Sequence, residues 1–354
     1  MRIVVAMSGG VDSSVAAALL AEEGHDVIGL SMQLYDQSDG QTSFGSCCSI
    51  DDLHDARRVA AAINIPHYIL NFERQFDELV VSNFVREYAS GRTPLPCAHC
   101  NSDLKFSTLA ERAIGFGADA VATGHYARVE HDGAGGRFRL KRGVDPAKDQ
   151  SYFLFSLTQA QLAHAVFPVG DRPKEAVREY ARRLGLPVAD KPDSQEICFI
   201  PDNDYRAFVT KHVPDAEREG EFVDANGRVL GSHAGIHRFT VGQRKGLGLA
   251  STATPMYVLA LRPADRQVVV GPRASLEQTA LTASGVNWMV EQPRESLRVA
   301  AQIRHRHQAA PATVQALDEG RAAVVFDTPQ MAVTPGQAVV FYDGDTVVGG
   351  GWID

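Results

Sequence analysis

Along the first two hundred positions, apolar residues fall into two alternating patterns. Short β-type runs occur at "RIVVAM" (2–7), "DVIGLSMQL" (26–34), "PHYILNF" (66–72) and "ADAVATG" (118–124). Between them lie longer stretches with helical spacing: "SSVAAALLAEEG" (13–24), "DDLHDARRVAAAIN" (51–64) and "FDELVVSNFVREYAS" (76–90). The first is rich in Ala and Leu and ends at Gly24, a residue that closes helices well. The second carries its acids in the first turn, where the helix dipole favours them. The helical pattern continues through "QAQLAHAVF" (159–167) and "PKEAVREYARRLG" (173–185). Strands alternating with helices predict a doubly wound parallel sheet covered on both faces.

Beyond residue 202 the periodicity shortens to that of strands. The runs "GEFVDANGRVLG", "MYVLALRPADRQVVVG", "ATVQALDEGRAAVVFDTP" and "QAVVFYDGDTVVGGGWI" are separated by Gly, Pro and Asp turns. The "ANGR" and "YDGD" segments read as hairpins. This organisation predicts an α/β domain over 1–201, a small β-rich domain over 202–275 and a β-barrel over 276–354.

Composition narrows the classes. The 354 residues are 44% hydrophobic and 22% charged, which is ordinary for a globular chain. A formal charge of −8 argues against indiscriminate nucleic-acid binding and leaves room for a local basic face. The N-terminus has no apolar run of signal-peptide length, and no stretch approaches a membrane span, so a cytoplasmic location is expected. Five cysteines, Cys47, Cys48, Cys97, Cys100 and Cys198, are few and odd in number, unlike a secreted disulfide framework.

Chemistry concentrates first in "AMSGGVDSS", residues 6–14, between the first strand and the first helix. Open α/β sheets bind ligands at such a turn. Gly9 and Gly10 let backbone N–H groups approach an anion, and the helix N-terminus adds partial positive charge. Ser8, Ser13 and Ser14 offer hydroxyl donors, and Asp12 can cap the helix or hold Mg²⁺. The stretch is neither a Walker A loop nor a dinucleotide fingerprint. A capped βα turn is the plainer reading of its glycines alone. The whole Ser-Gly-Gly-x-Asp-Ser string resembles the PP-loop of the ATP pyrophosphatase superfamily. That resemblance implies an ATP site built from Ala6, Met7, Ser8, Gly9, Gly10, Val11, Asp12 and Ser13, with Met32 beside the adenine and Gly124 touching the nucleotide.

Eight further motifs follow in order: "CCSIDDLHDARRVA", "GRTPLPCAHCNSDLKF", "ATGHYAR", "KDQSYFL", "KPDSQEICFIP", "FTVGQRKGLG", "IRHRH" and "TPQMAVTPGQAVVFYDGDTVVGGGWI". Together with the PP-loop they resemble the bacterial tRNA-specific 2-thiouridylase family from Ala6 to the C-terminus. The resemblance implies replacement of the C2 oxygen of the wobble uridine by sulfur in tRNAs for Lys, Glu and Gln. A urea-like carbonyl is a poor electrophile. Adenylation of its oxygen with ATP creates AMP as a leaving group, and a sulfur nucleophile then attacks C2. ATP and Mg²⁺ are the implied cofactors. A cysteine desulfurase or a sulfur relay protein is the implied donor.

The same resemblance assigns residues. Cys198 matches the family's persulfide cysteine and Cys100 its catalytic partner, with which it can form a disulfide. Leu95, Pro96, Cys97, His125, Lys148, Asp149, Gln150, Arg304, His305 and Gln337 match tRNA-contacting positions. Alternation in "IRHRH" predicts a strand with Arg304 and Arg306 on one face and His305 and His307 on the other. His233 and His237 have the spacing of a helical metal pair, but Gly235 and the β-type text around them make that spacing a coincidence. Cys47 and Cys48 read as structural.

One departure from the family stands out. Where the family string resembles Thr-Pro-Asn-Pro-Asp-x-x-Cys-Asn, this chain has Leu95 in place of Asn and Cys97 in place of Asp. The replaced Asp is an acid/base candidate in the family, and a thiol is a weaker acid. Cys97, Cys100 and Cys198 together predict a ligand set for a [4Fe–4S] cluster with one open iron. A persulfide relay is the alternative within the same reaction. Other classes are a different PP-loop adenylating ligase, and a non-enzymatic iron–sulfur tRNA-binding or sulfur-carrier protein. The intact loop speaks against the last.

Overall fold

A computed structural model describes residues 1–35, 50–133, 136–193, 197–200, 204–213, 216–249 and 254–354. Cys47 and Cys48 lie outside the described residues. The chain divides into two compact units, one of Met1–Val80, Cys97–Asn203 and Asp345–Val347, the other of Val81–Pro96, Asp204–Gly344 and Val348–Asp354.

The first unit holds a five-stranded sheet. Its strands are β1 (Arg2–Ala6), β2 (Asp26–Gln33), β3 (His67–Asn71), β4 (Ala120–Ala122) and, beyond the antiparallel hairpin β5 (Ala127–Asp132) and β6 (Arg137–Arg142), β7 (Ala165–Val166). The order is β3-β2-β1-β4-β7, and every pairing is parallel. The chain therefore winds outward from β1 in one direction and then from β4 in the other. Helix α1 (Val11–Glu22) follows β1, and α2 (Ile50–Ala62) precedes β3.

Burial explains why these segments take these forms. Val5, Val15, Ala16, Ala17, Leu20, Val27, Ala56, Val59 and Ala122 share one core with Val177 and Ala181 of the helix Lys174–Arg183. Helix α1 is apolar on nearly all sides because it is covered on nearly all sides. Each such side chain contributes roughly 1.5–3 kcal/mol by leaving water.

Two stretches depart from the sequence expectation. "QAQLAHAVF" is helical only over Gln159–Leu162, and Ala165–Val166 then pair with β4. Two residues of parallel pairing outweigh helix propensity here because a Thr158 capping box starts the helix and the sheet claims its end. "IRHRH" is not a strand. The preceding strand stops at Gln302, whose side-chain amide donates to the carbonyls of Arg304 and His305 and folds them into a turn.

The second unit is β-rich. Strands β8 (Gly220–Val223), β9 (Val229–His233), β10 (Tyr257–Arg262) and β11 (Gln267–Gly271) form a sheet in the order β10-β11-β8-β9. The "ANGR" hairpin joins β8 and β9, with Gly227 at φ +85°. The strands β12 (Glu277–Trp288), β13 (Leu297–Gln302), β14 (Ala310–Ala316), β15 (Ala322–Met331), β16 (Ala338–Asp343) and β17 (Thr346–Ile353) close into a six-stranded barrel, because β12 pairs with both β15 and β17. Val299, Val314, Val324, Phe326 and Phe341 fill it. No helix among the described residues is long and apolar enough to cross a membrane.

Candidate functional site

The sheet order reverses between β1 and β4, and the loop after β1 lies at that reversal. This is where an open α/β sheet leaves a crevice at the carboxyl ends of its strands. The loop turns sharply. Gly9 adopts φ +73°, and a Cβ there would lie 2.2 Å from the Asp52 carbonyl oxygen. Only glycine fits. The Ser8 amide donates to Ser13 Oγ at 3.1 Å, and the Ser13 and Ser14 hydroxyls donate to the Gly10 carbonyl at 3.3 and 2.8 Å. No side chain caps α1. Its first N–H groups are left for a ligand, and an anion suits them.

Gly124 follows β4 and meets this loop from the other side of the crevice. A Cβ on it would sit 2.5 Å from the Ser13 amide nitrogen. The next residue, His125, takes Thr123 Oγ1 at 2.7 Å on its Nδ1. Burial, reinforced by nearby Lys105, holds its imidazole well below the ordinary range, so it is neutral at physiological pH. Met32 is buried in β2, one residue before its end.

Asp12 does not cap the helix. Its carboxylate accepts from Tyr126 Oη at 2.7 Å and from Lys174 Nζ at 2.7 and 2.9 Å. Lys174 Nζ lies also 2.8 Å from Asp193 Oδ1. Asp193 in turn receives Lys148 at 2.7 Å and Arg178 at 3.0 Å. Burial alone would raise the Asp193 carboxyl, but Lys148 and Lys174 bring it down to about 2. Lys191 forms a second tether. Its ammonium donates to the Gly9 carbonyl at 3.1 Å and pairs with Asp52 at 2.5 Å and Asp55 at 2.7 Å. Both Lys191 and Asp193 belong to the segment that runs on to Cys198.

The residues of "KDQ" all have partners within the unit. Lys148 is on Asp193. Asp149 accepts from Arg142, the Gly143 amide, and the amide and hydroxyl of Ser151. Gln150 Oε1 accepts from the Tyr126 amide at 3.0 Å.

Cys97 and Cys100 sit on a helix that begins at Pro96 and widens to i→i+5 hydrogen bonding over Cys100–Leu109. Such wide turns are rare and gather at functional sites. Cys97 is exposed, and Cys100 and Cys198 are partly so. His99, between the two cysteines, is turned onto Asp103 at 2.9 Å, whose other oxygen accepts from Ser102. Among the described residues no group of three His, Cys, Asp or Glu side chains is placed to hold a metal. Cys97, Cys100 and Cys198 are thus not gathered into the predicted cluster ligand set. Two of them are fixed along one helix and the third lies on a separate segment. His233 and His237 likewise form no such group: His237 is buried between the Ala216 carbonyl and the Thr210 hydroxyl.

The remaining expected residues lie in the second unit. Leu95 and Pro96 are buried, and the segment before them is held at Thr93 and Pro94, whose carbonyls accept from Gln337 Nε2 at 3.1 Å each. The Thr93 amide donates to the Pro335 carbonyl at 2.8 Å. Arg304 and His305 are exposed on the turn after β13, with Arg304 donating to the Met331 carbonyl.

Sequence reasoning missed Tyr126, Lys174, Lys191 and Asp193. For Lys174 there was a signal. It is the first residue of its helix, where the dipole disfavours a cation, so something other than the helix keeps it there.

Comparison with known proteins agrees with this geometry over the whole chain. Family models described as the tRNA methyl transferase HUP domain, the tRNA methyl transferase PRC-barrel domain and the aminomethyltransferase beta-barrel domain match residues 1–202, 206–272 and 278–353. The chain is 54% identical to the tRNA-specific 2-thiouridylase of Geotalea uraniireducens, covering 100% of this chain and 95% of the relative. It is 55% identical to that of Geobacter metallireducens, covering 100% and 96%. It is 53% identical to that of Solibacter usitatus, covering 99% of each chain. The domain descriptions name a methyl transferase, but the relatives that span the full chain are thiouridylases.

Proposed function

The chain belongs to the tRNA-specific 2-thiouridylase family, and from that premise we propose that its phosphate loop activates a tRNA uridine with ATP for sulfur insertion. It is an ATP-dependent tRNA sulfurtransferase. The observation that carries the site reading is the uncapped N-terminus of α1 at the sheet's reversal point, framed by Gly9 and Gly124.

In the first step the uridine O2 attacks the α-phosphorus of ATP. The α–β bond breaks and pyrophosphate leaves onto the N–H groups of Gly9 to Ser13. Mg²⁺ accompanies the phosphates. Asp12 can offer it one carboxylate, which suits a cation that keeps water and phosphate oxygens as its other ligands. Neutral His125 beside Gly124 can donate or accept a hydrogen bond at the tRNA without adding charge.

In the second step the terminal sulfur of a Cys198 persulfide attacks C2, and AMP leaves. The Cys100 thiolate then attacks Cys198 Sγ and breaks the S–S bond of the adduct. The thiolate stays on C2 as 2-thiouridine, and Cys100 and Cys198 are left as a disulfide. A thiol reductant and a persulfide donor, such as a desulfurase or relay protein, reset the enzyme. The relay needs two thiols, and the scattered positions of the three cysteines favour it over a shared cluster. No step is routed through an iron–sulfur centre. Lys148, Gln150, Arg304 and His305 remain the expected tRNA contacts. Arg304 and His305 are the most accessible of these.

The test is a reaction of purified protein with unmodified tRNA for Lys, Glu or Gln, Mg²⁺-ATP and a persulfide donor. Stoichiometric 2-thiouridine, AMP and pyrophosphate are expected. AMP formation that ignores tRNA would point to another adenylating ligase. Absence of AMP would sink the reading.

A further inference from the structure

Lys174 is the one cation of its neighbourhood that two carboxylates from different segments share. Asp12 belongs to the phosphate loop, and Asp193 to the segment leading into Cys198. The ammonium is buried, so its charge is spent on these two partners. Lys148 and Arg178 touch Asp193 without touching Asp12. Three cations thus hold Asp193, and only one of them is also held by the nucleotide loop. Asp145 faces the same helix end through the Lys174 backbone amide at 2.9 Å and leaves the ammonium to the other two acids.

An arriving triphosphate changes this balance. It would settle on the α1 N-terminus, adjacent to the Asp12 carboxylate, and would be repelled by it unless a cation intervened. Lys174 is already there. A polyanion competes better for an ammonium than one carboxylate does, and charge-assisted contacts of this kind are strong where water is scarce.

We propose that Lys174 is a shared counter-ion linking occupancy of the phosphate loop to the hold on the Cys198 segment: bound ATP draws the Lys174 ammonium onto its phosphates, and Asp193 keeps only Lys148 and Arg178. The Cys198 segment loosens when nucleotide is present and is held when it is not. Sulfur delivery is thereby tied to activation, since a persulfide is released toward C2 only while ATP or its adenylate occupies the loop. Lys191, on the Gly9 carbonyl and the two α2 acids, keeps the segment's start in place throughout. Lys174 and Asp193 are positioning residues in this scheme. The proposal rests on the reading of the loop as the ATP site.

Cys198 alkylation by iodoacetamide, mapped by mass spectrometry on the full-length protein, tests it. The protein is labelled with and without Mg²⁺ and α,β-methylene ATP, and Cys97 serves as the reference thiol. In the wild type the analogue should speed Cys198 labelling several-fold and leave Cys97 unchanged. Asp193→Asn should label fast in both conditions, and Asp193→Glu should restore the response. In thiolation assays Asp193→Asn should lower kcat and leave KM for ATP unchanged. Analogue affinity is measured alongside by equilibrium binding. If the analogue binds the wild type and Cys198 labelling does not change, the coupling is wrong while the ATP site stands. If it does not bind, both fail. Should Asp193→Asn not fold, the wild-type response alone decides.

Discussion

Gly124 faces the Ser13 amide so closely that a methyl group on its Cα would lie 2.5 Å from that nitrogen and 2.6 Å from the Asp12 carbonyl carbon. Both neighbours are backbone at the start of α1 and cannot rotate away. Gly124→Ala therefore has to push β4's end and the phosphate loop apart. Overpacking of this kind costs about 1–3 kcal/mol, and here the displaced atoms are the ones that receive phosphate. The expected result is a large rise in the Kd for ATP, seen by equilibrium binding, with a smaller loss of thermal stability. Unchanged nucleotide affinity would show that the two loops do not form one site.

Gln337 was expected at the tRNA, and its amide donates instead to Thr93 and Pro94, the segment that leads into Leu95, Pro96 and Cys97. Gln337→Ala leaves two carbonyls without that donor. At about 1 kcal/mol per bond, stability of the unit should fall by about 1–2 kcal/mol in urea titrations. Gln337→Glu, which has no donor there, should cost at least as much. A variant that loses tRNA affinity with an unaltered unfolding midpoint would return Gln337 to direct tRNA contact.

These cases mark what can be read along a chain and what cannot. The phosphate loop was legible because its glycines, serines and helix start are consecutive, and the parallel sheet because short apolar runs alternate with helical ones. The six-stranded barrel followed from turn residues at regular intervals. The Lys174–Asp12 pair spans 162 positions and Lys191–Asp52 spans 139, and nothing local to either lysine names its partner. "IRHRH" misled because a strict alternation of polar residues carries no apolar face for a sheet to bury. The three cysteines suggested a cluster because sequence gives their number and not their spacing in space.

Cys97 is exposed on the first turn of its helix, and the persulfide relay uses only Cys100 and Cys198. Cys97→Ser and Cys97→Asp should therefore keep the fold and retain 2-thiouridine formation with a persulfide donor. Cys100→Ser and Cys198→Ser should bring multiple-turnover product below detection, while AMP formation on cognate tRNA persists. Chemical assay of iron and sulfide on anaerobically prepared protein accompanies the series. Loss of thiolation in Cys97→Ser together with loss of bound iron would replace the relay with a three-cysteine cluster.

Asp193 gives the acid limb of stability a defined contributor. Its carboxyl is brought from an ordinary 3.8 down to about 2 by Lys148 and Lys174, against the opposing effect of burial. A carboxylate depressed in the folded state stabilises above its unfolded value and loses that contribution as pH falls through the folded value. A shift of this size corresponds to about 2 kcal/mol, and its partial exposure to solvent reduces the expected share to about 1 kcal/mol. The gap in urea midpoint between wild type and Asp193→Asn should be widest above pH 5, shrink between about pH 4 and pH 2, and vanish below. The cations it faces, Lys148, Lys174 and Arg178, do not titrate in that window, so the slope belongs to the acid alone. A gap that stays constant from pH 6 to pH 2 would mean that Asp193 stabilises through shape and hydrogen bonding rather than charge, and the pull of Lys174 on it would then be too weak for ATP to exploit.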